Sequence, residues 1–198
     1  MIWEILGDNR SGKGLVSALF AWDAFNHDRT IYVNCPMNPQ TQEYDHILNF
    51  PHIDYDPAGM FQFNLKDCVV LTDEGEIYMD SAFRNRAVRN MYLFGYQARK
   101  RGIDWYYTTV RIKNIDLRIR LNPDFILETV RFPKDYRKPL AAVKIIVTPR
   151  YGNKDHSIWL RNPARFFKLY NHEVMVVPPV ETVRAIKTVR AITTTPAK

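Results

Sequence analysis

The chain opens on a short apolar run, Ile2-Trp3-Glu4-Ile5-Leu6, and then turns polar and glycine-punctuated from Gly7 to Gly14. Residues 14–25 carry apolar positions at Leu15, Leu19 and Trp22, the spacing of one helix face. Strand, glycine loop and helix in that order begin a βα unit. A second strand is predicted at residues 31–34, after which Pro36, Pro39, Pro51, Pro57 and Gly59 break the chain into loops and short pieces. Cys68-Val69-Val70-Leu71-Thr72 is a continuous apolar run, the pattern of a parallel strand buried on both faces. The pattern over 82–101 predicts a long helix stopped by Gly102, just after Arg99, Lys100 and Arg101, where cations suit the helix dipole. Residues 103–110, β-branched and aromatic, read as a strand, with others at 124–131, 142–148 and 173–177. The alternation over the first 110 residues predicts an α/β fold with a mainly parallel central sheet flanked by helices.

The 198 residues fit one domain, expected over 1–180, with 181–198 as a C-terminal tail. The tail repeats Thr-Val-Arg-Ala-Ile at 182–186 and 188–192, too short a period for a solenoid. A short docking helix is one reading; a flexible Thr-rich end is the commoner one. No stretch reaches the roughly 18 apolar residues of a membrane span, and the first residues lack a basic n-region and a long apolar core. The expectation is a cytoplasmic protein with no membrane insertion. Two cysteines, Cys35 and Cys68, make no disulfide framework and fit a reducing compartment. The five histidines form no zinc-binding spacing, so no zinc site is expected.

Charge changes the picture. The net charge is +7, and residues 84–120 alone hold ten basic side chains against Asp104 and Asp116. So concentrated a basic region points to a polyanionic partner such as nucleic acid. The blander account is a solvated helix face plus arginines that touch a nucleotide.

The turn Gly7-Asp8-Asn9-Arg10-Ser11-Gly12-Lys13-Gly14 matches G-x-x-x-x-G-K. Glycines let the backbone curl so that successive N–H groups face phosphate oxygens, and the helix that follows adds its positive end, so Gly7 to Gly14 and Leu15 are the expected nucleotide-binding residues. Lys13 would reach the β- and γ-phosphates of ATP. One position departs from the pattern: the residue after the lysine is normally Ser or Thr, whose hydroxyl binds Mg²⁺, and here it is Gly14. A water could replace that hydroxyl, or Ser11 or Ser17 could contribute indirectly. The alternative is a loop that binds nucleotide and hydrolyses it slowly.

The apolar run at 68–72 ends in Asp73 and Glu74. A buried parallel strand delivers its C-terminal end to the edge of the sheet where ligands bind. Asp73 would hold Mg²⁺ and Glu74 would act as general base toward the attacking water. An ordinary acidic strand-to-loop turn is the alternative.

With these two motifs and the run Gln97-Ala98-Arg99-Lys100-Arg101-Gly102-Ile103-Asp104, the chain resembles P-loop ATPases of the FtsK/HerA group. That group includes viral genome-packaging ATPases and the zonula-occludens-toxin-like morphogenesis proteins of filamentous phages. The resemblance spans about residues 1–120 and more faintly 121–180; the compact size and the stretch Phe166-Phe167-Lys168-Leu169-Tyr170-Asn171 look more like the packaging members. It implies a sheet of the additional-strand type, with one strand between the two nucleotide strands. It also implies a homo-oligomeric ring, often hexameric, with double-stranded DNA in its pore. By the same resemblance Thr109 lies near a polar sensor of the γ-phosphate, although the group usually has Gln where this chain has Val110. Arg99 matches an arginine that reaches a neighbouring subunit's nucleotide, with Arg84, Arg89 and Arg120 as rivals. Trp105, Tyr106 and Tyr107 fall in a central strand and read as core rather than as base-stacking platforms.

Three functions follow. The first is an ATP-hydrolysing motor packaging double-stranded DNA into a preformed capsid, with the capsid vertex as a further partner and the host cytoplasm as its place. The second is a phage morphogenesis or export ATPase of the toxin-like type. The third is a nucleotide-binding module with weak hydrolysis, motivated by Gly14.

Overall fold

A computed structural model describes residues 1–34, 46–57, 64–82, 86–152 and 154–171. Eight strands form one sheet in the order β3-β2-β4-β5-β1-β6-β7-β8. They are β1 (Ile2–Leu6), β2 (Ile31–Val33), β3 (Ile53–Asp54), β4 (Val69–Thr72), β5 (Asp104–Thr109), β6 (Phe125–Phe132), β7 (Ala142–Pro149) and β8 (His156–Arg161). The pairings from β3 through to β6 are parallel; β6–β7 and β7–β8 are antiparallel. The sheet is thus mainly parallel, with an antiparallel extension along one side. β5 lies between β1 and β4, so a strand does separate the two that end in the loop and in the acid pair.

The apolar runs form the centre because both their faces are covered. Ile2, Ile5, Val69, Val70, Leu71, Trp105 and Tyr107 are all fully buried. Helix α1 (Lys13–Phe25) turns Ala18, Ala21 and Ala24 inward at helical spacing, together with Leu15, Val16 and Ser17. Its Phe20 lies 5.2 Å from Tyr106, while Trp3 stacks 4.3 Å from Phe125 on the same face. Helix α3 (Arg86–Ala98) buries Val88, Met91, Phe94 and Ala98, with Phe94 edge-on to Trp105 at 5.2 Å. Neighbouring strand residues point to opposite faces, so α1 over Tyr106 and α3 over Trp105 sandwich the sheet. The aromatic run on β5 is core, as its pattern predicts.

Several boundaries differ from the sequence reading. The expected helix at 82–101 is a turn at Ser81 and Ala82, then α3 from Arg86, then a 3-10 turn at Arg99–Arg101. Asp80 accounts for the turn at 81 and 82: it bridges Ile115, and its carboxylate accepts the Ala82 N–H at 2.8 Å. Two short helices, α2 (Glu76–Met79) and α4 (Leu117–Arg120), were not expected. Nor were β3, only two residues long, and β8, an edge strand whose side chains are mostly exposed and so lack an inward-facing pattern. The strand expected at 173–177 and the tail at 181–198 lie outside the described residues.

Candidate functional site

All six parallel strands point their C-terminal ends to one edge of the sheet, and the two predicted motifs meet there. After β1 the chain turns at Gly7 and enters α1 at Lys13. Gly12 has φ 100°, a conformation that a side chain strains. Ser11 is buried; its hydroxyl shares a 2.7 Å hydrogen bond with that of Thr129 on β6, and Thr129 donates onward to the Leu6 carbonyl at 2.9 Å. The loop is thereby tied to the neighbouring strand. Asp8, Asn9 and Arg10 are exposed, and Leu15 is a core residue. No acidic residue occupies the first turn of α1, which leaves its positive end clear for an anion.

Lys13 folds over the loop and donates to the carbonyls of Gly7 at 2.8 Å and Asp8 at 3.0 Å. Burial lowers its pKa, against the upward pull of Glu76, Asp73, Glu74 and Asp8 in decreasing order. Three of those four carboxylates, Asp73, Glu74 and Glu76, come just after β4. A cavity of about 740 Å³ opens on the β6 side of the loop, with Arg111, Lys113, Arg131 and Lys134 in its wall.

The acid pair is held from several directions. Asp73 is buried, and its backbone exchanges two hydrogen bonds with the Asn34 side chain, at 2.7 and 2.9 Å. Thr108 donates to Asp73 Oδ1 at 2.6 Å and accepts the Glu74 N–H at 2.9 Å. Glu74 has φ 48°, a left-handed conformation that costs a non-glycine residue about 1–3 kcal/mol. Burial, then the charges of Asp73 and Glu76, raise the Glu74 pKa, and Lys13 partly offsets them.

A residue 97 positions further along the chain reaches the same carboxylate. The 3-10 run Pro163–Leu169 packs against α1, and Tyr170 forms a bridge with Leu48. From there the Tyr170 hydroxyl donates to Asp73 Oδ2 at 3.0 Å. A Cβ on Gly14 would lie 2.3 Å from Tyr170 Cζ and 2.4 Å from its oxygen. The room that a side chain at residue 14 would need is filled by a phenol.

Neither a protein-family model nor a curated protein matches the chain. Solved structures do. The N-terminal domain of zonular occludens toxin from Neisseria meningitidis superposes with a TM-score of 0.57 at 13% identity, over 86% of this chain and 98% of that one. The DNA-packaging ATPase B204 of Sulfolobus turreted icosahedral virus gives 0.55 at 14% identity, over 79% and 95%. A third structure, of an ATPase domain on its own, gives 0.54 at 9% identity, over 87% and 84%.

The chain has the P-loop NTPase fold.

The likeness to toxin-like and viral packaging ATPases read from the motifs is borne out at the level of that fold. B204 of the second Sulfolobus turreted icosahedral virus has been solved with ATP-γS, at a TM-score of 0.53 to this chain and 13% identity.

Within this NTPase fold the remaining predicted residues are placed as follows. Thr109 is fully buried, and its hydroxyl has no hydrogen-bond partner among the described residues; its neighbour Thr108 touches both acids. Arg99 pairs with Asp124 at 2.8 Å and donates to the Asn122 carbonyl at 2.5 Å. Asp124 also accepts the Ile2 N–H, so Arg99 sits where β1 begins, at the opposite edge of the sheet from the loop. The sequence reading missed four contributors: Asn34, Glu76, Thr108 and Tyr170. Glu76 was legible as a third acid two positions after Glu74. Ser11 and Ser17, considered for the missing hydroxyl, are engaged elsewhere; Ser17 donates to the Gly14 carbonyl at 2.9 Å.

Proposed function

We propose that this protein is an ATP-hydrolysing motor that moves double-stranded DNA as a ring of identical subunits, often six in the group it resembles, and that it packages a viral genome into a preformed capsid in the host cytoplasm. The carrying observation is that the strand ending in Asp73 and Glu74 meets the phosphate-binding loop: the Tyr170 hydroxyl that donates to Asp73 at 3.0 Å lies 2.4 Å from where a Cβ on Gly14 would be. The fold shared with B204, a genome-packaging NTPase, supports the packaging role.

ATP fits the loop through backbone N–H groups of residues 7–14 and the α1 N-terminus. Lys13 exchanges the Gly7 and Asp8 carbonyls for phosphate oxygens. The acids fit a divalent cation: Asp73 is buried, and Glu76 Oε2 is buried with no hydrogen-bond partner among the described residues. Asp73 would hold Mg²⁺, which neutralises charge on the phosphates when bound. Glu74 takes a proton from water as the water oxygen bonds to the γ-phosphorus and the bond to the bridging oxygen breaks, releasing ADP and phosphate. We assign Thr109 to the sensing of the γ-phosphate through Thr108, its neighbour on the acids. Arg99 acts on the neighbouring subunit's nucleotide; its position at the far edge of its own sheet suits a group that works in trans.

The test is ATP turnover with and without duplex DNA. Wild-type protein is expected to turn over ATP faster with duplex. Glu74→Gln should lose about 10²–10⁴ in rate while still binding ATP, and Lys13→Ala should lose binding. Turnover unchanged in Glu74→Gln refutes the catalytic assignment. The likeness to the toxin's N-terminal domain favours a second reading, a morphogenesis or export ATPase. No described helix is long and apolar enough to cross a membrane, and co-purification with phage envelope components rather than capsid would favour that reading. DNA-independent turnover slower than about one per minute would leave a nucleotide-binding module.

A further inference from the structure

The phosphate loop of this chain lacks a hydroxyl at Gly14, and the two nearby serines are committed to other partners. A phenol oxygen stands in the missing group's place. The Tyr170 hydroxyl lies 2.4 Å from where a residue-14 Cβ would be and donates to Asp73, the acid assigned to the cation. In P-loop NTPases the loop hydroxyl and this aspartate together hold Mg²⁺. We propose that Tyr170 supplies from a distant segment the hydroxyl that the loop lacks, completing with Asp73 the polar pair that faces the nucleotide's divalent cation. The proposal rests on the NTPase reading above. It also accounts for Gly14: a Cβ there would meet the ring where it now stands. The Leu48 bridge and the Asn171 N–H to Ile47 carbonyl bond, 2.8 Å long, hold the segment in place.

The experiment exchanges the two positions. ATP affinity is measured with Mg²⁺ and with EDTA, and Mn²⁺ binding to the nucleotide complex is followed by electron paramagnetic resonance. Tyr170→Phe keeps the ring and removes the oxygen. It should leave affinity in EDTA unchanged and weaken Mn²⁺ binding by about ten- to hundredfold. Gly14→Ser alone should melt at lower temperature, because its Cβ meets the ring. Gly14→Ser with Tyr170→Ala should recover both melting temperature and Mn²⁺ binding relative to either single variant, since the serine then has room and takes over the role. Undiminished Mn²⁺ binding in Tyr170→Phe, or tighter binding there, overturns the proposal; the second outcome would make the tyrosine a plug. Wild-type protein that binds no ATP in either condition overturns the NTPase reading itself, whereas the melting of Gly14→Ser and its rescue report on the packing without nucleotide.

A second inference stands on different residues and runs against the expectation from histidine spacing. His46, His52 and Asp54 lie at edge strand β3, four strands from β1, and their ligand atoms fall within 4.8 Å of one another. His46 Nδ1 is 3.2 Å from His52 Nε2 and 3.6 Å from Asp54 Oδ1, and His52 Nε2 is 3.4 Å from that oxygen. Ligands about 2.0–2.1 Å from a tetrahedral zinc ion stand about 3.3–3.4 Å apart, which is this triangle. His52 Nδ1 is 2.6 Å from the Phe50 carbonyl, so it carries the proton and leaves the Nε2 lone pair facing the cluster. Asp54 Oδ1 is buried and has no hydrogen-bond partner among the described residues. The geometry points to a Zn²⁺ site with these three ligands among the described residues, His46 being its exposed member. Untagged full-length protein dialysed against Zn²⁺ should retain one equivalent by elemental analysis and melt higher than with EDTA. Asp54→Asn and His52→Ala should lose the metal and the EDTA effect together. Retention of zinc by both variants, or none by wild type, overturns the assignment in favour of a hydrogen-bonded imidazole–carboxylate cluster.

Discussion

Glu4 is an acid in the middle of a central strand. It is fully buried, no well-formed hydrogen bond from the described residues reaches its carboxylate oxygens, and burial pushes its pKa up to about 7, against the pull of the Tyr107 hydroxyl and the Arg120 charge. The folded pKa lies above the unfolded value of 4.5, so folding favours the protonated form. Its stabilising share is therefore complete below pH 4.5 and lost as pH rises toward about 7. Above that, the ionised group costs the fold on the order of 3 kcal/mol. Glu4→Gln should raise the melting temperature at pH 8 and change it little at pH 4.5; equal shifts at both pH values refute this account. Glu74 behaves in the same direction for activity. Its pKa is raised, so the acidic limb of turnover should lie above pH 4.5, and Glu76→Gln, which removes a like charge, should move that limb to lower pH. A limb that moves upward would mean that Glu76 is not a repelling neighbour of the base.

At the scale of elements, the phosphate loop is braced by β6 as well as by Lys13 of its own helix. Thr129 joins the Ser11 hydroxyl to the Leu6 carbonyl across the strand boundary. Thr129→Val keeps the shape and removes both bonds, leaving a buried serine unpaired. We expect a loss of about 1–3 kcal/mol in chemical denaturation, with weaker ATP binding and unchanged secondary structure by circular dichroism. ATP affinity equal to wild type would show that the brace does not reach the loop. The elements most legible in the sequence were those buried on both faces, β1 and β4, because continuous apolar runs of that length have few other uses in an α/β chain. β8 escaped because an edge strand with exposed side chains has no inward face to display in its pattern.

At the scale of the molecule, two of the ten basic residues of 84–120 stand beside the loop. Arg111 and Lys113 follow β5 and line the cavity beside the loop, joined there by Arg131 and Lys134 from the β6 side. Two of these four lie outside the segment singled out by composition. If they contact DNA phosphates, the logarithm of the binding constant falls linearly with the logarithm of salt concentration, and each alanine substitution reduces the slope by about 0.9. Fluorescence anisotropy with a labelled duplex at several salt concentrations measures it. Slopes unchanged by Arg111→Ala and Lys113→Ala would place the DNA path elsewhere.

The sequence by itself determined the local pieces: the glycine loop, the helix behind it, the buried strands and the acids at the end of β4. These follow from short-range sterics and from the period of burial, which are written in neighbouring residues. The tertiary structure decided what converges on them. That Tyr170 fills the space at Gly14, that Thr108 rather than Thr109 holds the acids, and that Asp124 holds Arg99 at the opposite edge all depend on strand order and on the alternation of faces. Partners tens of residues apart share no spacing rule, because what joins them is the sheet that brings their surfaces together.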